Sequence, residues 1–315
     1  MVRKIALIAG ACIILIVLVI ALWIVWQILA DPLDFIDRST ADLSVDRDSL
    51  FYDALIPVPR VYHKLILSGP EIGEVSCVLS LPDSLGPDPI PALIILGGLE
   101  IGVETLKYIP DPGHNAIIIY QYPYHPEYWY YGSAITEIPV IRESVLSVPA
   151  QVLALYDWAG RQSWTDTARI SLAGYSFGAL FIPAIVHLSQ QHGHQISHTV
   201  ISYGGADLYH LLDYNMTNVD PPWRGLISWM AITAIRGIEP AEHAPYLKSD
   251  VLLINGTEDH QIPESCWRLL HRLVPEPKSV ILLQEGHMDP RKRELTMKLV
   301  RLTKEWLVQK DVINN

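Results

Sequence analysis

Cysteine is scarce in this sequence: three in 315 residues, at positions 12, 77 and 266. They form no C-x-x-C pair, so neither a cysteine-rich zinc module nor a dense disulfide framework is on offer. Positive charge is also short, with 23 Lys and Arg against 34 Asp and Glu and a net charge of -11. A polyanion would be repelled, which sets nucleic acid aside as a partner. No run of six like charges, no tandem repeat and no phosphate-cradling glycine loop occurs. Charged tails, solenoids and nucleotide-triphosphate chemistry therefore lack support. What is abundant is apolar: 50% of residues are hydrophobic and 18% charged, a balance that disorder does not show and that one large core requires.

Charge is missing altogether from one stretch. After Arg3 and Lys4, positions 5 to 26 carry no charged or strongly polar side chain. A helix needs about 20 such residues to cross a bilayer, whereas a cleaved secretory signal has an apolar core of about 7–15. Residues 1–30 are thus expected as an uncleaved transmembrane anchor, with Trp23 and Trp26 at the interfacial end. Arg3 and Lys4 precede the run, and Asp31, Asp34 and Asp37 follow it. That asymmetry predicts a single pass with the amino terminus cytoplasmic and the rest of the chain extracytoplasmic, in a periplasm or a lumen. Residues 31–59 read as a linker.

From position 60 short apolar runs alternate with longer helix-like segments. Residues 61–67 and 74–81 form an expected antiparallel pair. Residues 92–96, 116–120, 170–173, 198–202, 251–254 and 280–283 are short, β-branched and bounded by glycine or polar residues. Such runs suit strands buried on both faces of a parallel sheet. Helices are expected over 101–108, 136–158, 179–190, 263–273 and 291–308, the second split or kinked at Pro139 and Pro149. The alternation predicts an α/β fold of βαβ units.

Within it, Gly174-Tyr175-Ser176-Phe177-Gly178 lies between a buried strand and an apolar helix. A turn that tight holds the serine in a strained backbone conformation and needs small residues two before and two after it. The hydroxyl then stands above the sheet, and the Phe177 N–H points where negative charge would develop. A helix-capping serine is the bland alternative, but a cap has no need of flanking glycines.

This elbow resembles that of the α/β-hydrolase superfamily, and the resemblance spans about residues 60–310. It implies a mostly parallel eight-stranded sheet with helices on both faces, residues 60–315 as the hydrolase domain and a small cap at about 207–250. In that family an acid and then a histidine follow the serine. The loop after 251–254 carries Asp259, and Gly286-His287 closes the last strand, so Ser176, Asp259 and His287 are the implied catalytic triad. Glu258 and Asp207 are rival acids, and His260 a neighbouring histidine. The second oxyanion donor is implied at Gly98 or Leu99, beside Phe177, although the family often has a histidine where this chain has Leu96. In this fold Cys77 and Cys266 lie toward opposite ends of the sheet, beyond the roughly 7 Å between Cα atoms that a disulfide spans, so both are expected as free thiols.

The resemblance is nearest the dienelactone-hydrolase and prolyl-oligopeptidase-like branch, and the expected layout leaves no room for a propeller. It implies a serine hydrolase acting on a carboxylic ester, then a thioester or an exposed peptide end, with no cofactor and no metal. A catalytically silent, membrane-tethered binding protein is the reading from another class. The expected partners are a small ester or acyl substrate and the membrane, with no obligate protein partner evident. Residues 120–131, rich in tyrosine, read either as a pocket wall or as a packed loop, and Tyr122, Tyr124 and Tyr175 are the candidate substrate contacts. The basic last helix is open to two readings, an anionic-lipid face or a solvated one.

Overall fold

The computed structural model describes residues 2–39, 41–51, 59–98, 102–124, 134–289 and 291–315. Helix α1, Val2–Leu29, is the apolar run, and its side chains from Ile14 to Trp26 are largely exposed. A 3-10 turn, Pro32–Phe35, follows, capped by the Asp31 carboxylate on the Leu33 N–H at 2.9 Å. Leu33 and Ile36 are buried against the body, so this part of the expected linker is docked.

One sheet then carries nine strands among the described residues: β1 (Ser44–Phe51), β2 (Arg60–Gly69), β3 (Gly73–Pro82), β4 (Ile90–Leu96), β5 (Ala116–Gln121), β6 (Thr165–Tyr175), β7 (His198–Ser202), β8 (Asp250–Gly256) and β9 (Lys278–Leu283). Their order is β1-β2-β3-β5-β4-β6-β7-β8-β9. Strands β5, β4, β6, β7, β8 and β9 are parallel; β1, β2 and β3 pair antiparallel beside them. The eight expected strands are all present, and β1 corrects the count. It lies in the stretch read as linker, is exposed along nearly its whole length and carries Asp46, Arg47 and Asp48. An edge strand wet on both faces needs no apolar pattern, and its charges discourage further pairing.

The helices are α2 (Ala134–Gly160), α3 (Ile182–Gln191), α4 (Leu208–Asn215), α5 (Trp223–Ile235), α6 (Pro240–His243), α7 (Glu264–Leu273) and α8 (Arg293–Gln309). Helix α2 is not split at Pro139 or Pro149. A mid-helix proline costs about 3 kcal/mol, which the burial of Val145, Val148, Val152, Leu153, Leu155 and Trp158 offsets. Alternate strand residues face opposite ways, as the period of two demands. Ile94, Leu96, Ile118 and Leu172 pack toward α2 and α3, while Leu93, Ile95, Ile117 and Ile119 pack toward α8.

Residues 207–250 form a small insertion between β7 and β8 that holds α4, α5 and α6. Its base is fastened by Glu239, whose carboxylate accepts from the N–H groups of Asp207, Leu208 and Ala241 at 2.8, 2.8 and 3.0 Å. The basic last helix, α8, has acidic partners. Lys298 meets Glu285, Lys304 meets Asp111 and Lys310 meets Asp250, at 3.2, 2.6 and 2.6 Å. Cys77 and Cys266 are buried free thiols, and burial pushes their pKa values up to about 12 and about 11.

Candidate active site

Strand β6 ends at Tyr175 and a 3-10 turn, Ser176–Leu180, leads to α3. Ser176 sits there at φ 52°, a left-handed conformation that a non-glycine residue adopts only where its surroundings impose it. The flanking glycines are what permit it. A Cβ on Gly174 would lie 2.6 Å from the Gly178 carbonyl oxygen, and one on Gly178 would lie 2.2 Å from that of Leu96. Both distances are collisions, so the spacing read in the sequence is steric necessity.

The histidine and the acid arrive from two neighbouring strand ends. The loops after β8 and β9 are stitched together by backbone bonds from Thr257 N–H to Leu283 O and from Glu258 N–H to Glu285 O, at 2.8 and 3.1 Å. Asp259 and His287 project from these loops. Ser176 Oγ lies 2.8 Å from His287 Nε2, and His287 Nδ1 lies 2.7 Å from Asp259 Oδ2. The other Asp259 oxygen accepts from the Gln261 and Ile262 N–H groups at 2.7 and 3.0 Å. The Asp259 side chain is fully buried and His287 nearly so. A buried carboxylate with each oxygen satisfied fixes the ring nitrogen it faces as the donor, leaving Nε2 to accept from the serine.

The rival acids are elsewhere. Asp207 caps α4 through the His210 N–H at 3.1 Å and pairs with the His210 ring at 2.6 Å. Glu258 and His260 are exposed.

Gly98 abuts the serine: a Cβ there would stand 3.5 Å from Ser176 Cβ and 3.9 Å from Oγ. Leu99 and residues 125–133, which include most of the aromatic stretch, lie outside the described residues. Of the candidate substrate contacts, Tyr175 is corrected. Its ring is buried on the α8 side of the sheet, and its hydroxyl donates to Thr303 Oγ1 at 2.9 Å. The alternation of a strand explains this, since neighbours of an upward-facing residue face away. Tyr122 is corrected too: it is buried among Phe177 and Phe181, and its hydroxyl donates to the Gly97 carbonyl at 2.7 Å. Tyr124 is half-buried and donates to Glu137 at 2.5 Å.

Sequence reasoning missed Tyr203. Its ring meets the His287 ring edge to face, centroids 5.3 Å apart and planes at 89°. Tyr203 itself sits at φ 58°, and its buried hydroxyl has no hydrogen-bond partner among the described residues. Burial pushes its pKa up, with Asp259 and Glu285 adding to the effect. Nothing in a Tyr-Gly-Gly turn after a strand announces such a role. Among the described residues no cluster of three His, Cys, Asp or Glu side chains forms a metal site.

A strained serine on a strand-to-helix turn, in contact with an imidazole held by a buried carboxylate, on a mostly parallel sheet with helices on both faces, defines an α/β-hydrolase-fold serine hydrolase. The comparisons agree. The model of the prolyl oligopeptidase family matches residues 147–310, a little over half of the chain, and the chain belongs to that family. No curated protein matches the sequence. Solved structures share the fold at low identity. The acetyl xylan esterase 1 of a Thermoanaerobacterium species matches with a TM-score of 0.59 and 15% identity, over 85% of this chain and 91% of its own. A Paenibacillus acetyl xylan esterase gives 0.60 and 16%, over 86% and 92%. The acylaminoacyl peptidase of Pyrococcus horikoshii gives 0.54 and 12%, over 82% of this chain and 48% of its own.

Proposed function

We propose that the chain hydrolyses a carboxylic ester through Ser176, His287 and Asp259, by way of an acyl-enzyme. The observation that carries this reading is the unbroken relay from Ser176 Oγ to His287 Nε2 at 2.8 Å and from His287 Nδ1 to Asp259 Oδ2 at 2.7 Å. Ser176 Oγ attacks the acyl carbon as its proton passes to His287 Nε2. Asp259 keeps Nδ1 protonated and stabilises the imidazolium. The carbonyl oxygen, now negative, is received by the N–H groups of Phe177 and Gly98, each such donor contributing about 3–4 kcal/mol in the transition state. His287 returns the proton to the leaving alkoxide. Water, deprotonated by the same nitrogen, then releases the acid. The fold shared with two acetyl xylan esterases supports an ester, while the same relay also serves a thioester or a peptide end.

Helix α1 is proposed as a membrane anchor with the hydrolase domain outside the cytoplasm, on the grounds of its length, its exposed apolar side chains and the basic pair, Arg3 and Lys4, in its first turn.

A fluorophosphonate probe should label the full chain in detergent and leave Ser176→Ala unlabelled. Asp259→Asn should lower kcat by about 10⁴-fold, whereas Asp207→Asn should keep it within a few-fold. Labelling that survives Ser176→Ala, or losses that fall on Asp207 instead, would overturn the assignment. A panel of ester, thioester and aminoacyl substrates then ranks the acyl class.

A further inference from the structure

Helix α5 has an apolar side that the body of the protein leaves uncovered. Its one fully buried side chain is Ser228, whose hydroxyl lies 3.9 Å from Met216 Sδ. Ile232 and Ile235 pack against the core, but a second set of apolar positions faces outward: Trp223, Leu226, Ile227 and Met230 are 64%, 46%, 42% and 57% exposed. Their spacing of i, i+3, i+4 and i+7 puts them on one face of the helix, and Trp229 beside them is exposed as well. Single exposed apolar residues are ordinary in soluble proteins, but a full stripe on one helix marks a surface that is covered in use.

The carboxyl end of α5 shows what covers it. The helix runs directly into the turn Arg236–Ile238, and that turn receives the segment leaving α1. A Cβ on Gly237 would lie 2.5 Å from Ile36 Cγ2 and 3.0 Å from the backbone carbon of Phe35, so the segment is packed closely on this turn. The Arg236 guanidinium stands 5.1 Å from the centre of the Phe35 ring, and the Phe35 ring lies 5.3 Å from that of Trp26 in α1. A chain of side-chain contacts thus connects α1 to the turn at the carboxyl end of α5. Met230 is six residues before Arg236, about 9 Å along a helix.

We propose that α5 is a second membrane contact, its stripe lying in the interfacial layer of the bilayer that α1 spans; this rests on the anchor reading above. The two indoles and three aliphatic side chains are the residue types that layer takes up. The driving force is apolar, because the nearby cations already have partners. Arg224 pairs with Asp213 at 3.1 Å and Arg236 with Glu242 at 2.8 Å. Neutral lipid is therefore sufficient, and salt has little effect on the contact.

The test uses the full chain in phosphatidylcholine nanodiscs with Cys12→Ser, so that a dye on Met230→Cys is the sole accessible label. Dibrominated acyl chains should quench that dye roughly two-fold or more, as an apolar helix face at the headgroup–acyl boundary requires. They should leave a dye on Glu276→Cys, where the side chain is 74% exposed in the loop before β9, unchanged. Flotation with vesicles reads the anchor separately. A chain that floats but shows no quenching at position 230 overturns this inference and spares the anchor. A chain that does not float overturns both. Disulfide dimers of the unlabelled Met230→Cys chain through position 230, with the labelled chain unquenched, would mean that a second copy covers the stripe, which also overturns it.

Discussion

Tyr122 holds one side of a peptide unit whose other side faces the chemistry. Its hydroxyl is bonded to the Gly97 carbonyl at 2.7 Å, and the N–H across that planar trans unit belongs to Gly98, next to Ser176. Oxygen and hydrogen of a trans peptide point in opposite directions, so fixing one aims the other. Tyr122→Phe should therefore lower kcat by about tenfold, close to 1.4 kcal/mol, with KM little changed. Tyr203→Phe offers the contrast. The hydroxyl it removes is buried without a partner among the described residues, so stability should hold or rise and kcat should stay near wild type. Steady-state kinetics on both variants decide this. Equal losses would mean that Tyr122 does not act through the loop.

At the scale of elements, legibility tracked burial. Strands β4, β7 and β8 are buried nearly throughout, as is β6 from Ile170 to Tyr175, and a residue type that must exclude water on both faces leaves an unmistakable run. Strand β1 pairs with β2 along one edge, with Asp48 on His63 and Phe51 on Tyr62, and is exposed along nearly its whole length, so no apolar alternation was imposed on it. The same reasoning explains the site. Ser176, Asp259 and His287 sit at positions where turns dictate glycine or a chain reversal, and these were readable. Tyr122, Tyr203 and Glu239 act through contacts between distant segments, which no local spacing encodes. The elbow itself is the most demanding element. Gly178→Ala should cost at least about 3 kcal/mol, since the added methyl meets the Leu96 backbone at 2.2 Å and backbone cannot swing aside. Gly86→Ala, with nothing within 4 Å of the new methyl, should leave the urea midpoint unchanged.

The whole molecule should weaken in mild acid. His243 is buried with Nδ1 3.0 Å from that of His187, and its Nε2 is 2.9 Å from the Gly237 carbonyl. Burial and the facing His187 lower the His243 pKa to about 4. His271, whose Nε2 is 2.9 Å from Asn255 Oδ1, is lowered to about 4 by burial and by Lys278 and Arg268. The unfolded chain takes up protons near pH 6.5, and the folded one resists until near 4. Stability is therefore complete above 6.5 and is lost as pH falls from 6.5 toward 4, by roughly 3 kcal/mol for His243 and less for the partly solvated His271. Urea midpoints at pH 7.5, 5.5 and 4.5 should fall in that order, and His243→Gln with His271→Gln should flatten the slope. A wild-type midpoint independent of pH across that range would show that these rings do not stay neutral in the fold.

Only Ala30 and Asp31 separate the end of α1 from the docked turn that begins at Pro32. Two residues span about 7 Å fully extended. With α1 in a bilayer as proposed, the globular head has no leash to swing on. A long flexible stalk would let a nucleophile sweep a hemisphere and collect whatever diffuses past. This short hinge instead holds it at one altitude, so the bonds within its grasp are sorted by their distance from the lipid plane before any pocket selects among them.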